Sequence, residues 1–262
     1  MNFTSLIYEK TDRITIVTFH TPKRLNAISE ARLTELEAVL TDLEAGDEIS
    51  ALILTGGEGK AFCVGLDLDL LDRAFNDLAY FEQVVRRVNG IITRLEALPL
   101  PTIAAINGLT RAGGFEFSMG CDFVIVADDA PYGDAHTDSG VLPAAATLRL
   151  ARRVGEQRAK EMIWTSRWYI GPEAVAAGLA LKSVPRAQLR AEAIAFAKAM
   201  TDKPRAVIAA SKRVFQKGAD LGLAEGVEME LQNFMHYLRT ERYGREGYTA
   251  YREKRLPFWK TA

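Results

Sequence analysis

Hydrophobic positions along the chain fall into two rhythms. "SLIYEK" and "ITIVTFH" are dense in apolar and β-branched residues, and the polar "TDR" between them reads as a turn, so the chain is predicted to open on two strands. From Ser29 to Ala45 the rhythm changes. Leu33, Leu36, Leu40 and Leu43 recur at helical spacing behind Ser29, a suitable N-cap. "SALILTG" is continuously apolar and ends in glycine, as expected of a strand covered on both faces. A glycine-rich loop, "GGEGKAFCVGLDLDLL", leads to a predicted long helix from about Phe81 to Ala97, closed by Pro99 and Pro101. "TIAAIN" and "FVIVAD" read as further buried strands. From Gly155 onward the pattern is almost wholly helical, through "PEAVAAGLA", "LRAEAIAFAKAM", "PRAVIAASKRVFQKG" with Pro204 at a helix start, and "AEGVEMELQNFMHYLR".

Strands alternating with helices, then helices alone, predict an α/β protein built from parallel β-α units. Neither an internal repeat nor a low-complexity linker interrupts the chain. Its softest boundary lies near residue 200, giving an expected core of residues 1–200 and a helical region of residues 201–262.

Composition mainly excludes. The chain has 262 residues, a formal net charge of −1, 48 % hydrophobic and 26 % charged residues. That is ample material for a core and carries no bulk basic field for nucleic acid or an anionic membrane. Its apolar runs fall short of the roughly 18 residues that span a bilayer. The N-terminus has no signal-peptide pattern, and Cys63 and Cys121 lack a metal-binding spacing. Two buried free thiols in a cytoplasmic setting are expected. The acids Asp67, Asp69 and Asp72 in "LDLDLLD" suit a solvated helix start better than a metal site. His20 and His236 have no catalytic context.

Two segments share one design, "ALILTGGEGKAFCVGLDL" and "TIAAINGLTRAGGFEFSMG": a buried strand, glycines, then an apolar helix. The glycines allow tight turns and close helix–strand packing. Two such turns facing each other could also aim two backbone N–H groups at one oxygen. Glu116 lies one turn into the second helix, between Phe115 and Phe117. A carboxylate there is costly to bury unless it is paired or used, and apolar surroundings suit it to general acid/base work.

"AFCVGLDL", "PTIAAINGLTRAGGFEFSMGCDFVIVADDAPYG", "AVAAGLALKSVP" and "EGYTAYREKRLPF" stand in the order of the signature blocks of the crotonase superfamily, the enoyl-CoA hydratase/isomerase family, which the chain resembles from about Leu6 to Phe258. The resemblance implies a crotonase (ClpP-like) spiral of β-β-α repeats with a C-terminal helical region, assembled as a homotrimer or dimer of trimers, the C-terminal helices covering an active site. It implies an acyl-CoA substrate, with coenzyme A as part of the substrate and no other cofactor or metal. The N–H groups of Leu66 and Gly113 would form the oxyanion hole. "TPKRLNAIS" matches the CoA-contacting block, so Arg24, Leu25 and Ala27, with Cys63, Asp67, Leu68 and Gly114, are the expected substrate contacts.

Glu116 falls on one of the two catalytic glutamates of enoyl-CoA hydratases. The second is absent. Where hydratases carry "Gly-x-Pro-Glu", this chain reads "YGDAHTDSG", with His136 at the glutamate's place, and a following glycine-rich stretch is replaced by "AAATLR". A histidine here resembles crotonase-fold hydrolases that cleave carbon–carbon bonds in β-diketones. Their assisting aspartate corresponds to Ala145, leaving Asp134 or Asp138 to orient His136. Three functions therefore stay open: an enoyl-CoA hydratase or isomerase using Glu116 and His136, a carbon–carbon hydrolase or decarboxylase using His136, and a non-catalytic acyl-CoA-binding homologue.

Overall fold

In a computed structural model that describes residues 3–260, β1 (Leu6–Thr11) and β2 (Ile14–Phe19) form an antiparallel hairpin. Parallel strands β3 (Ala51–Thr55), β5 (Thr102–Ile106), β7 (Phe123–Ala127) and β8 (Lys182–Val184) extend it in the order β1-β2-β3-β5-β7-β8. Every residue of β2, β3 and β5 is buried, which explains their unbroken apolar runs. Strand β8 is a correction to the helical reading after Gly155. At three residues it is too short to impose a period of two.

A second, narrow layer lies beside this sheet. Strands β4 (Ala61–Cys63) and β6 (Leu109–Thr110) pair in parallel, and single bridges Ile28–Leu66, Thr110–Tyr132 and Tyr132–Tyr169 continue the layer. Each turn of the chain thus supplies a long strand to the large sheet, a short stretch to the narrow layer and a helix. This is the spiral that the family blocks led us to expect.

Helix α1 (Glu30–Ala45) starts where Ser29 Oγ accepts the Arg32 N–H at 3.3 Å. Helices α2 (Leu68–Asn76) and α3 (Leu78–Ala97) are separated by Asp77, whose carboxylate caps α3 through Ala79 N and Tyr80 N, so α3 begins before the expected Phe81. Then follow α4 (Gly113–Met119), α5 (Thr147–Val154), α6 (Glu156–Thr165) and α7 (Gly171–Ala176). Helix α8 (Leu189–Thr201) packs on β3 and β5.

Helices α9 (Arg205–Gly218), α10 (Leu223–Thr240) and α11 (Tyr243–Glu253) end the chain. Lys212 ties α9 to the core through Asp122 at 2.7 Å and the Leu100 carbonyl at 3.1 Å. Helix α10 buries none of its residues in the single chain and exposes Val227, Leu231, Phe234 and Leu238. Among the described residues, no helix is long and apolar enough to cross a membrane.

Candidate active site

The narrow layer aligns four segments from successive turns. Ile28 N donates to Gly65 O at 2.8 Å and Asp67 N to Ile28 O at 2.9 Å. Arg111 N donates to Cys63 O at 3.1 Å, and Ala112 N to Asp134 O at 2.7 Å. Residues 27–28, 65–67, 111–113 and 134–136 therefore lie side by side. Two glycines permit this spacing. Gly65 takes φ +94°, and a Cβ on it would stand 2.9 Å from Ala112 Cβ. A Cβ on Gly114 would meet the Cys63 carbonyl oxygen at 2.1 Å. Ala112, at φ 48° and ψ −125°, and Ala135, at φ 53°, hold conformations that favour glycine, a strain on the order of 1–3 kcal/mol each. The N–H groups of Leu66 and Gly113 make no hydrogen bond among the described residues. Gly65 brings the two close, since its Cβ position lies 3.3 Å from Gly113 N.

Helix α4 then sets Glu116. The side chains of Phe115 and Phe117 go into the core, and the carboxyl goes to the cavity side, 5 % exposed. Its Oε1 accepts the Ala145 N–H at 2.8 Å, and Oε2 faces Gly113. Burial raises the Glu116 pKa above the ordinary carboxylate value, although the His136 charge and the Ala145 N–H pull it back. His136 sits across the same cavity. Its Nδ1 lies 2.9 Å from Asp134 Oδ1, and its backbone N–H donates to Asp134 Oδ2 at 3.2 Å. Because a carboxylate only accepts, Nδ1 carries the proton and Nε2 is left for a ligand. Burial disfavours the imidazolium, but fully buried Asp134, together with Glu116, outweighs it and raises the His136 pKa above its ordinary value. Glu116 and His136 each favour the charged form of the other.

The pair borders a cavity of about 850 Å³ that Arg24, Leu25, Ala27, Leu66, Asp67, Leu68, Gly113, Glu116 and His136 all line. Two expected contacts stand behind the wall instead. Cys63 is fully buried in β4, and Gly114 packs on the Cys63 carbonyl. Burial pushes both thiols up, Cys121 to about 12. Arg24, expected to contact the CoA moiety, is paired with Asp67 at 2.7 Å and Asp69 at 2.8 Å. Asp67 caps α2 from a buried position, so only Asp69 and Asp72 of that acidic run face solvent, and no metal-type cluster forms among the described residues. Of the two aspartates weighed for His136, Asp134 holds the ring, while Asp138 sits in the middle of a short 3-10 turn, Thr137–Ser139. His20 and His236 are exposed elsewhere.

Two residues escaped the sequence reading. Fully buried Arg32 holds the Ser5 carbonyl at 3.0 Å and Thr21 Oγ1 at 2.8 Å, and also the Asn26 carbonyl, fixing the loop that carries Arg24, Leu25 and Ala27. Its signal was its place on the apolar stripe of α1, four residues before Leu36. Arg111 lines the cavity beside His136; its signal was a cation just before the Gly-Gly turn.

This fold, with paired N–H groups beside a buried glutamate, defines a crotonase-superfamily protein. Residues 9–262 match the family model described as enoyl-CoA hydratase/isomerase, and the chain belongs to that family. It is 31 % identical to the short-chain-enoyl-CoA hydratase of Clostridium acetobutylicum over 261 residues, 97 % of each chain. It is also 31 % identical to a probable enoyl-CoA hydratase of Mycobacterium tuberculosis, over 98 % of each. The crystal structure of enoyl-CoA hydratase from Bacillus anthracis superposes with a TM-score of 0.92 at 32 % identity, covering 99 % of this chain and 100 % of that one.

Proposed function

We propose that the chain is an enoyl-CoA hydratase in which Glu116 and His136 form the acid/base pair. The observation that carries this reading is their position across one cavity, next to the unbonded N–H groups of Leu66 and Gly113. The thioester carbonyl oxygen of an enoyl-CoA takes both N–H donors, which stabilise the negative charge that develops on it. Water attacks C3 as one member of the pair removes its proton, and C2 takes a proton from the other. The pair must therefore hold one of its two possible protons: with both there is no base, with neither no acid. The reaction so written needs no metal or redox group, and coenzyme A enters with the substrate. The exposed apolar face of α10 supports assembly as a homotrimer or dimer of trimers.

A second reading rests on the His136–Asp134 pair, which is arranged to activate water for carbon–carbon cleavage. Turnover of crotonyl-CoA, a 3-enoyl-CoA, a β-ketoacyl-CoA and a free β-diketone, followed spectroscopically, tests both. Hydration of crotonyl-CoA is expected to dominate. Cleavage of the diketone without hydration overturns the first reading.

A further inference from the structure

Arg111 stands in the cavity wall with its charge uncompensated. Its Nη2 reaches the Ala135 carbonyl and Ser139 Oγ, both at 3.3 Å, the long end of hydrogen bonding. Both acceptors are neutral. A guanidinium carries five N–H donors, and among the described residues neither Nε nor Nη1 of Arg111 has an acceptor and no carboxylate pairs with it. Half-buried Arg87, Arg94 and Arg149 are paired with acids, and Arg153 and Arg205, which are not, each hold two or three backbone carbonyls outside the cavity. Glu116 of the cavity wall and Asp134 behind His136 bond elsewhere. Glu116 Oε1 accepts from Ala145 N, and Asp134 binds His136 through both oxygens. Arg24, a second arginine of the cavity, is held by Asp67 and Asp69.

A fixed, half-buried guanidinium with open donors matches a carboxylate in charge and in bidentate geometry. Its place fixes which part of a ligand it meets. Arg111 precedes the Ala112–Gly113 turn, and its head lies against residues 135 and 139, on either side of His136. With the thioester oxygen on the Leu66 and Gly113 N–H groups, as proposed above, that is the side of the acyl group. The rest of the wall near it, Val141, Leu142, Phe75 and Phe81, is apolar. Arg111 also opposes protonation of His136, and an anion placed on Arg111 removes that opposition.

We propose that Arg111 is a specificity residue that binds a carboxylate borne by the acyl group, so that the preferred substrates are short dicarboxylic acyl thioesters. This rests on the proposed binding of acyl-CoA and is separable from hydration by a binding measurement. Calorimetric titration compares glutaryl-CoA with pentanoyl-CoA, its analogue with methyl in place of carboxylate. The CoA phosphates are the same in both, so any difference comes from the acyl end. Glutaryl-CoA is expected to bind at least about tenfold more tightly, equivalent to about 1.4 kcal/mol. Arg111→Leu should abolish that ratio and Arg111→Lys keep part of it. Equal or weaker binding of glutaryl-CoA by the wild type, or an unchanged ratio in a folded Arg111→Leu variant, overturns the proposal. Turnover of pent-2-enoyl-CoA, read in parallel, reports separately on hydration: a glutaryl preference without turnover leaves Arg111 its role and removes the hydratase reading.

Discussion

Replacing Glu116 by Gln should disable the enzyme and, at alkaline pH, relieve it. The amide keeps the acceptor that Ala145 N bonds at 2.8 Å, so the backbone of residues 144–146 stays in place. At the Oε2 position, beside Gly113, it puts an NH₂ that can neither take nor deliver the catalytic proton. With Glu116 as the proposed general acid/base, the expected loss is at least about 100-fold in kcat on crotonyl-CoA, or about 2.7 kcal/mol of barrier. KM should change little, because the N–H groups of Leu66 and Gly113 are untouched. The stability effect has a definite sign. A carboxyl whose pKa rises on folding binds its proton more tightly folded than unfolded, so it subtracts stability as pH climbs above the unfolded value of about 4.3. His136, also raised, adds stability below about 6.5 that is lost as pH rises through its folded value. Part of that rise comes from Glu116, so removing the carboxylate acts in the same direction at both groups. The melting temperature of the variant minus that of the wild type should therefore grow as pH rises from the unfolded carboxylate value through the folded value of His136. Each tenfold of differential proton affinity is worth about 1.4 kcal/mol, and each kcal/mol about 2–4 °C in a chain of this size. Wild-type turnover, or a melting difference that is flat or falls with pH, refutes the reasoning.

Asp134→Asn keeps an acceptor for the His136 Nδ1–H and removes only the charge, so the alkaline limb of the kcat/KM profile should move to lower pH; an unmoved limb denies Asp134 its electrostatic role. His136→Glu should retain crotonyl-CoA hydration and lose the near-neutral ionisation, while His136→Ala should lose hydration; equal, full activity in both, with an unaltered pH profile, removes His136 from the chemistry. Gly114→Ala drives a methyl into the Cys63 carbonyl, and chemical denaturation should show a loss of about 3 kcal/mol or more, with α4 forced off β4.

What the sequence made legible follows from element length. Strands β3 and β5, buried on both faces, and helix α1 with its leucine stripe are long enough for periodicity to speak. The narrow layer is not. β4, β6 and the bridges at Ile28, Tyr132 and Tyr169 have one to three residues each, and hydrogen bonds rather than apolar pattern define them. Because the candidate site is strung along that layer, its assembly was visible only through family blocks. Glu116 stood out as an acid among aromatics. The choice of Asp134 over Asp138 needed the turn at Ala135, whose positive φ no alanine announces. Arg24, expected as a CoA contact, does line the cavity, but its partners, Asp67 and Asp69, lie more than forty residues downstream and could not be read from its neighbours.

The hydrogen bond from Ala112 N to the Asp134 carbonyl is backbone to backbone, as are the links at Ile28, Gly65 and Cys63. The scaffold that spaces Leu66, Gly113 and position 136 thus depends on main chain and a few glycines, and makes no demand on the side chain at 136. Carboxylate and imidazole are interchangeable there as far as the architecture is concerned. The frame can therefore keep its shape while the side chain at 136, and with it the chemistry offered to the cavity, is exchanged.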